Sequence, residues 1–229
     1  MKNSSMKKNA DLYSTTDTYE CHLFQDENEW KANRIKGIGG SDASSFVGQN
    51  KYKSNVELWK EKQGFISNDF SNELVEYGKA AEEPLRKLFE LKHPEYEVQY
   101  RENCQLRSKN KPYRTYSPDG LIIELDTGKC GIYEGKTSLI QNMSMYNEWR
   151  YGVPQNYFIQ TLHGLLVTGF DFVVINAELR FAWDRNTEIV ERYFTREEVL
   201  ESLEWLDQEE DKQWSYYLYN MKPPLISNL

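Results

Sequence analysis

Asp119, Glu134 and Lys136 are residue types that suit cation-assisted hydrolysis of a phosphodiester, and a short stretch of chain predicts that they meet. The run SPDGLIIELDTGKCGIYEGKTS, residues 117–138, reads as a β-hairpin: residues 121–125 are mostly apolar, Asp126-Thr127-Gly128-Lys129 is a turn, and residues 130–136 return. With the turn centred between Thr127 and Gly128, Leu125 is expected opposite Cys130, Leu121 opposite Glu134 and Asp119 opposite Lys136. Residues two apart share a face, so the three side chains point the same way, with direct cross-strand partners about 5 Å apart. Gly135, between the acid and the lysine, leaves its carbonyl unshielded by any side chain. Hard divalent cations take carboxylates, a backbone carbonyl, waters and phosphate oxygens. Asp119, Glu134 and Gly135 are therefore candidate metal ligands, and Lys136 could orient or deprotonate a water or neutralise charge developing on the phosphate. Taken alone, the hairpin also reads as a solvated one whose Glu and Lys form a surface pair.

The elements around it add candidates. A helix is expected over residues 72–91, with Leu74, Ala81, Leu85 and Leu88 on its buried stripe. At about 100° per residue, Glu82 borders that stripe beside Phe89 and Gly78, whereas Glu83 points away. Glu82 is thus the acid placed to reach a sheet, although either glutamate alone is an ordinary solvated helix residue. Pro84 predicts a kink, or a helix start near Ala81. Residues 34–44 read as the entry to a helix, with Ser41 as N-cap and Asp42 in the first turn. A third helix is expected over residues 153–169, and its His163 is expected to be satisfied by the protein rather than by a metal. Residues 172–175 and 178–183 read as two strands, and residues 195–219 as an acidic helix ended by Lys222-Pro223-Pro224.

Six blocks occur in order: Trp30-Lys31-Ala32-Asn33-Arg34, Gly37-Ile38-Gly39-Gly40-Ser41-Asp42-Ala43-Ser44, Gly78-Lys79-Ala80-Ala81-Glu82, Ser117-Pro118-Asp119-Gly120, Glu134-Gly135-Lys136-Thr137, and Val153-Pro154 with Tyr157 and Gln160. Together they resemble the YqaJ-like viral recombinase family, within the PD-(D/E)xK nuclease superfamily. One departure is the glycine at the centre of Glu134-Gly135-Lys136, where an apolar residue is commoner. The resemblance implies an α/β fold with a restriction-endonuclease-like core, a central mixed sheet flanked by helices. It implies a magnesium-dependent 5′ to 3′ exonuclease on linear double-stranded DNA, with manganese as a substitute ion, leaving 3′ single strands for an annealing protein. It assigns catalysis to Glu82, Asp119, Glu134, Lys136 and Gln160, with metal held by Asp119, Glu134, Gly135 and Glu82. Arg34 and Ser41 resemble the pocket for the terminal 5′ phosphate, and a homotrimer is the implied assembly. A structure-selective or sequence-specific endonuclease on the same core, or a catalytically silent DNA-end or protein-binding module, are the alternatives.

A chain of 229 residues can bury one sizeable core, and no internal repeat or long linker divides it. Residues 1–20 are polar and expected to be flexible, and residues 21–229 to form one domain. No run of eighteen apolar residues occurs, which predicts a cytoplasmic protein with no membrane segment. Cys21, Cys104 and Cys130 lack metal-ligand spacing and are expected as thiols, which argues against zinc. The formal net charge of −8 opposes polyanion binding. Two features offset it: acid is concentrated over residues 188–211, expected as an outer helix, and Lys31, Arg34, Lys36, Arg101, Arg107, Lys109, Lys111 and Arg114 form a candidate DNA-guiding patch. Tyr52, Trp59, Trp149, Tyr151, Trp214, Tyr216, Tyr217 and Tyr219 are candidates for an interface, for stacking on bases or for core packing.

Overall fold

The computed structural model describes residues 10–66 and 72–218. In chain order the elements are β1 (Tyr19–Leu23), α1 (Glu27–Arg34), α2 (Gly40–Phe46), α3 (Asn55–Lys62), α4 (Glu73–Lys92), β2 (Tyr96–Gln99), β3 (Cys104–Ser108), β4 (Thr115–Tyr116), β5 (Gly120–Glu124), β6 (Cys130–Ile140), α5 (Met143–Tyr151), α6 (Gln155–Thr168), β7 (Phe172–Phe181), β8 (Thr187–Thr195) and α7 (Leu200–Leu218). A five-stranded sheet runs β2-β5-β6-β7-β8, antiparallel throughout except for the parallel pair β6 and β7. A smaller sheet runs β1-β3-β4. This is the mixed sheet with flanking helices that the family resemblance implies.

Alternation along the strands sorts the core into two layers. Leu121, Ile123, Ile132, Val173 and Ile175 join the large cluster with Ile159, Leu162 and Leu165 of α6 and Leu203 and Leu206 of α7. Ile122, Tyr133, Phe172 and Val174 face the other way, against Phe89 of α4. Helix α4 has the expected extent, capped by the Asn72 side chain on the Val75 N–H at 3.0 Å, and it runs on through Pro84. Leu74 and Leu88, expected on its buried stripe, are exposed, whereas Ala81 and Leu85 are buried.

The hairpin register differs from expectation by two residues: Ile123 pairs with Cys130 and Leu121 with Ile132. Its loop closes between the Glu124 N–H and the Lys129 carbonyl at 2.9 Å, with Gly128 at φ +70°, a conformation that costs glycine little. The Leu125 N–H donates instead to the Glu95 carbonyl, so Leu125 leaves the hairpin ladder. A slip of two keeps every side chain on its predicted face, where a slip of one would have reversed them all.

Several expectations are corrected. Residues 10–20 are not a loose tail: Leu12, Tyr13 and Tyr19 are buried, and the Tyr19 hydroxyl donates to the Leu12 carbonyl at 2.6 Å. Residues 1–9 lie outside the described residues. The two strands expected over residues 172–175 and 178–183 are one strand, Phe172–Phe181, in which the Asn176 amide donates to the Tyr133 hydroxyl at 3.2 Å and the Leu85 carbonyl at 3.3 Å. The acidic run of residues 188–211 is strand β8 followed by helix α7, and Glu210 on α7 is fully buried. Arg114 and Lys111 are bound to that helix: Arg114 Nε meets Glu210 at 2.5 Å, and Lys111 Nζ meets Asp207 at 2.8 Å and Asp211 at 2.6 Å. Both side chains are engaged with α7. Among the expected aromatic candidates, Trp149 and Tyr217 are core, while Tyr52 and Tyr151 are exposed; Tyr219 and the 222–224 stop lie outside the described residues. His163 is satisfied by the protein, with Nδ1 at 2.7 Å from Glu210 and Nε2 at 3.0 Å from the Thr115 carbonyl. Cys21, Cys104 and Cys130 are in no disulfide, and no helix among the described residues is long and apolar enough to cross a membrane.

The end of α4 is fastened to the sheet edge by His93, whose Nδ1 lies 2.9 Å from Glu95 and Nε2 2.9 Å from Glu191 of β8. Burial lowers the imidazole pKa, but hydrogen bonds to both carboxylates outweigh it and raise the value above the usual range. A raised folded value means the contact stabilises fully below the unfolded pKa of about 6.5 and fades as pH rises through the folded value. Urea midpoints of the protein and of His93→Gln should differ most near pH 6 and converge towards pH 9. A difference independent of pH would show that the imidazole does not act through its charge.

Candidate active site

Asp119 stands in the bend between β4 and β5, and Glu134 and Lys136 are two residues apart on β6, on one face of the sheet. The three converge as expected: Lys136 Nζ lies 2.5 Å from Glu134 Oε1 and 3.6 Å from Asp119 Oδ2. Glu134 is 1% exposed. Its second oxygen accepts from the Tyr116 hydroxyl at 2.5 Å, and its first also accepts from the Gln160 amide of α6. The Gly135 N–H donates to Asp119 Oδ2 at 3.0 Å, which draws the acid against the middle of β6.

Helix α4 approaches Asp119 from the other side. Arg86, 6% exposed, donates to the Asp119 carbonyl at 3.0 Å and stacks on the Tyr100 ring at 3.8 Å. Glu82 lies one helical turn before Arg86, half-buried, and lines the same cleft as Asp119, Lys136 and Gln160. Glu83 is exposed, so the two glutamates face as the helical period predicts. Gly40 of α2 lets that helix close on the site: a Cβ there would stand 2.9 Å from the Tyr116 ring and 3.3 Å from the Gln160 side chain.

Arg34 and Ser41 open into the same cleft, of about 440 Å³, with Trp30, Lys79 and Tyr100 also on its wall. Arg34 Nη2 donates to Ser41 Oγ at 2.7 Å, and the guanidinium lies 4.7 Å from the Trp30 ring, whose Nε1 donates to Ser117 Oγ at 3.0 Å. Ser41 is not the N-cap of α2. Gly39 takes that place, and Asp42 accepts its N–H at 3.1 Å, which leaves the Ser41 hydroxyl free to meet Arg34.

Charge in the cleft is crowded. Burial, then the charge of Asp119, push both Glu82 and Glu134 up to about 7, with Lys136 offsetting part of the shift at each. Burial works against the Lys136 ammonium, but Glu134 and Asp119 prevail and hold it charged well above the usual lysine range. The Tyr116 phenol is raised by burial and by Glu134, so it acts as a donor. Asp119 and Glu134 flank one ammonium, with Glu82 on the wall of the same cleft, and carboxylates beside a sheet backbone are oxygen donors of the kind that a hard divalent cation takes. Among the described residues no three acids, histidines or cysteines already surround a common point. The oxygens of Glu134 are occupied by Lys136, Gln160 and Tyr116, so a cation shared with Asp119 competes with the ammonium for Glu134.

Residues 29–171 match the YqaJ-like viral recombinase domain, a span that contains all six sequence blocks and every residue of this cleft named above. The chain belongs to that family. Protein YqaJ of Bacillus subtilis (strain 168), an uncharacterised relative, is 30% identical over 179 residues, 74% of this chain. The chain spans about half the length of that curated relative, 54% of it. Among solved structures, LHK-Exo in complex with dAMP covers 84% of this chain and 95% of its own, at 16% identity and a TM-score of 0.61. The alkaline exonuclease LHK-Exo from Laribacter hongkongensis matches over the same shares at 15% identity and a TM-score of 0.58. These likenesses establish the shared fold.

Tyr116, Arg86, Ser117, Lys79 and Tyr100 were not among the sequence candidates. Arg86 carries a readable signal, since it follows Glu82 by four residues on one helix face. Tyr116 carries none: its hydroxyl reaches Glu134 from the two-residue strand β4 of the smaller sheet.

Proposed function

We propose that the chain is a single-domain, metal-dependent 5′ to 3′ exonuclease acting on the ends of linear double-stranded DNA, leaving 3′ single strands for recombination by annealing. The observation that carries this reading is the sharing of one cleft by Arg34 and Ser41 with Glu82, Asp119, Lys136 and Gln160. A phosphate held by the first pair would present the adjoining nucleotide to the second group.

Asp119 and Glu134, with the Gly135 carbonyl and Glu82, are the residues that would hold magnesium or manganese. The ion supplies positive charge at the scissile phosphate and lowers the pKa of a water at neutral pH. Lys136 adds a fixed ammonium where negative charge develops on the phosphate and orients the attacking water. Gln160 and Tyr116 hold Glu134 from two directions and fix its orientation beside Lys136. Arg34, backed by Trp30, and Ser41 grip the terminal phosphate with charge-assisted hydrogen bonds. The products are 5′-phosphorylated mononucleotides. A homotrimer and a single-strand annealing partner belong to the same proposal; light scattering should give three times the chain mass.

The test is digestion, with magnesium, of a linear duplex carrying 5′-phosphate ends, the same duplex with 5′-hydroxyl ends, and a closed circle. The phosphorylated duplex should be degraded fastest and the circle left intact. Cutting of the circle would make the protein an endonuclease. Arg34→Ala should erase most of the preference for phosphorylated ends, about tenfold or more given the value of a hydrogen bond to a charged group. An unchanged preference would remove Arg34 from the pocket.

A further inference from the structure

We infer that the buried ion pair of Asp42 and Lys62 positions Arg34 against Ser41 and thereby sets selectivity for phosphorylated ends, an inference that rests on the terminal-phosphate role proposed for those two residues. Arg34 is the last residue of α1 and Ser41 the second of α2. The single bond between their side chains, 2.7 Å long, does not fix how two short helices sit. Lys62, the last residue of α3, does. Its Nζ donates to the Arg34 carbonyl at 2.9 Å and lies 2.7 Å from Asp42 Oδ2. The same carboxylate oxygen accepts the Gly39 N–H at 3.1 Å. One ammonium and one carboxylate thus tie together the end of α1, the start of α2 and the end of α3. The two side chains are 11% and 9% exposed, and neither lines the cleft, so they act on it only through Arg34, Gly39 and Ser41.

The pair also acts through charge. Asp42 adjoins Ser41 in sequence, and an uncompensated carboxylate there would repel a phosphate. Burial favours protonation of Asp42, but Lys62 and Arg34 more than offset it, so the carboxylate stays ionised and needs its cation. Loss of Lys62 therefore frees the carbonyl of Arg34 and uncovers a negative charge beside the pocket. Both changes weaken phosphate binding, and neither touches Asp119, Glu134 or Lys136.

The experiment compares kcat/KM on 5′-phosphorylated and 5′-hydroxyl linear duplexes. In Lys62→Met the ratio should fall about tenfold or more, entirely through a higher KM for the phosphorylated duplex, with turnover of hydroxyl ends unchanged. Lys62→Arg, which keeps the charge and its donors, should restore most of the ratio; a merely structural lysine would alter both substrates alike. Because Lys62→Met strands a buried carboxylate, Asp42→Asn with Lys62→Met gives a second variant without that charge, in which the ratio should also fall because the tether to Arg34 is gone. A wild-type ratio in either folded variant would overturn the positioning role and leave Arg34 and Ser41 untouched. A wild-type protein with no preference for phosphorylated ends would instead overturn the end-pocket reading itself.

Discussion

Lys136→Ala should lower the turnover of linear duplex by about 10²-fold or more, the usual loss when one fixed donor to developing charge is removed, while binding of duplex ends persists. Lys136 is the charge common to the cluster: its ammonium bridges Glu134 and Asp119. Removing it withdraws positive charge from the place where phosphate charge grows, but leaves Arg34 and Ser41 on the cleft wall to hold the end. Single-turnover kinetics with saturating enzyme, alongside equilibrium binding in the presence of calcium, separates the two. Loss of binding equal to the loss of rate would show that the lysine grips DNA instead of serving the reaction. Lys136→Met tests the same point with the apolar stem retained, so that packing near Tyr157, whose ring lies 5.6 Å from the ammonium, is kept.

The site was legible where one period governs it. Asp119, Glu134 and Lys136 could be placed on one face because a register shift of two leaves parity unchanged, so the misjudged turn did no harm. Glu82 was separable from Glu83 because a helix of twenty residues, Glu73–Lys92, keeps its phase even through Pro84. Arg34 and Ser41, by contrast, come together through the loop between two short helices, where no period connects them; only resemblance to the family paired them. The N-cap of α2 was misread for a similar reason: Asp42 reaches back to the Gly39 backbone, so a residue without a side chain occupies the cap. The smaller sheet was missed because β4 is two residues long and β1 and β3 have no sustained alternation. Tyr116 went with it.

Charge was the least legible feature, because sign along the sequence does not tell which acids are spent inside the fold. Arg114→Met should destabilise the protein by about 3–5 kcal/mol, the cost of stranding a buried charge, and lower Tm by on the order of 10 °C at this chain length. Arg114 is 2% exposed and holds Glu210 through Nε at 2.5 Å, Asp207 through Nη1 at 2.5 Å, and the Asp207 carbonyl through Nη2 at 3.1 Å. Without it, Glu210 keeps its contact with His163, and α7 loses the bonds that Arg114 makes to Glu210 and Asp207. Arg114→Met with Glu210→Leu should recover much of the loss, since an apolar pair in place of a buried ion pair is often neutral or better. Thermal unfolding of the single and double variants measures this directly. Cleavage at low temperature, normalised to folded protein, should stay near wild type in both, because the pair lies outside the cleft. If Arg114→Met instead melted normally and bound DNA more weakly, Arg114 would belong to a DNA-guiding surface after all, and the acids of α7 would have to be counted against the approach of a duplex.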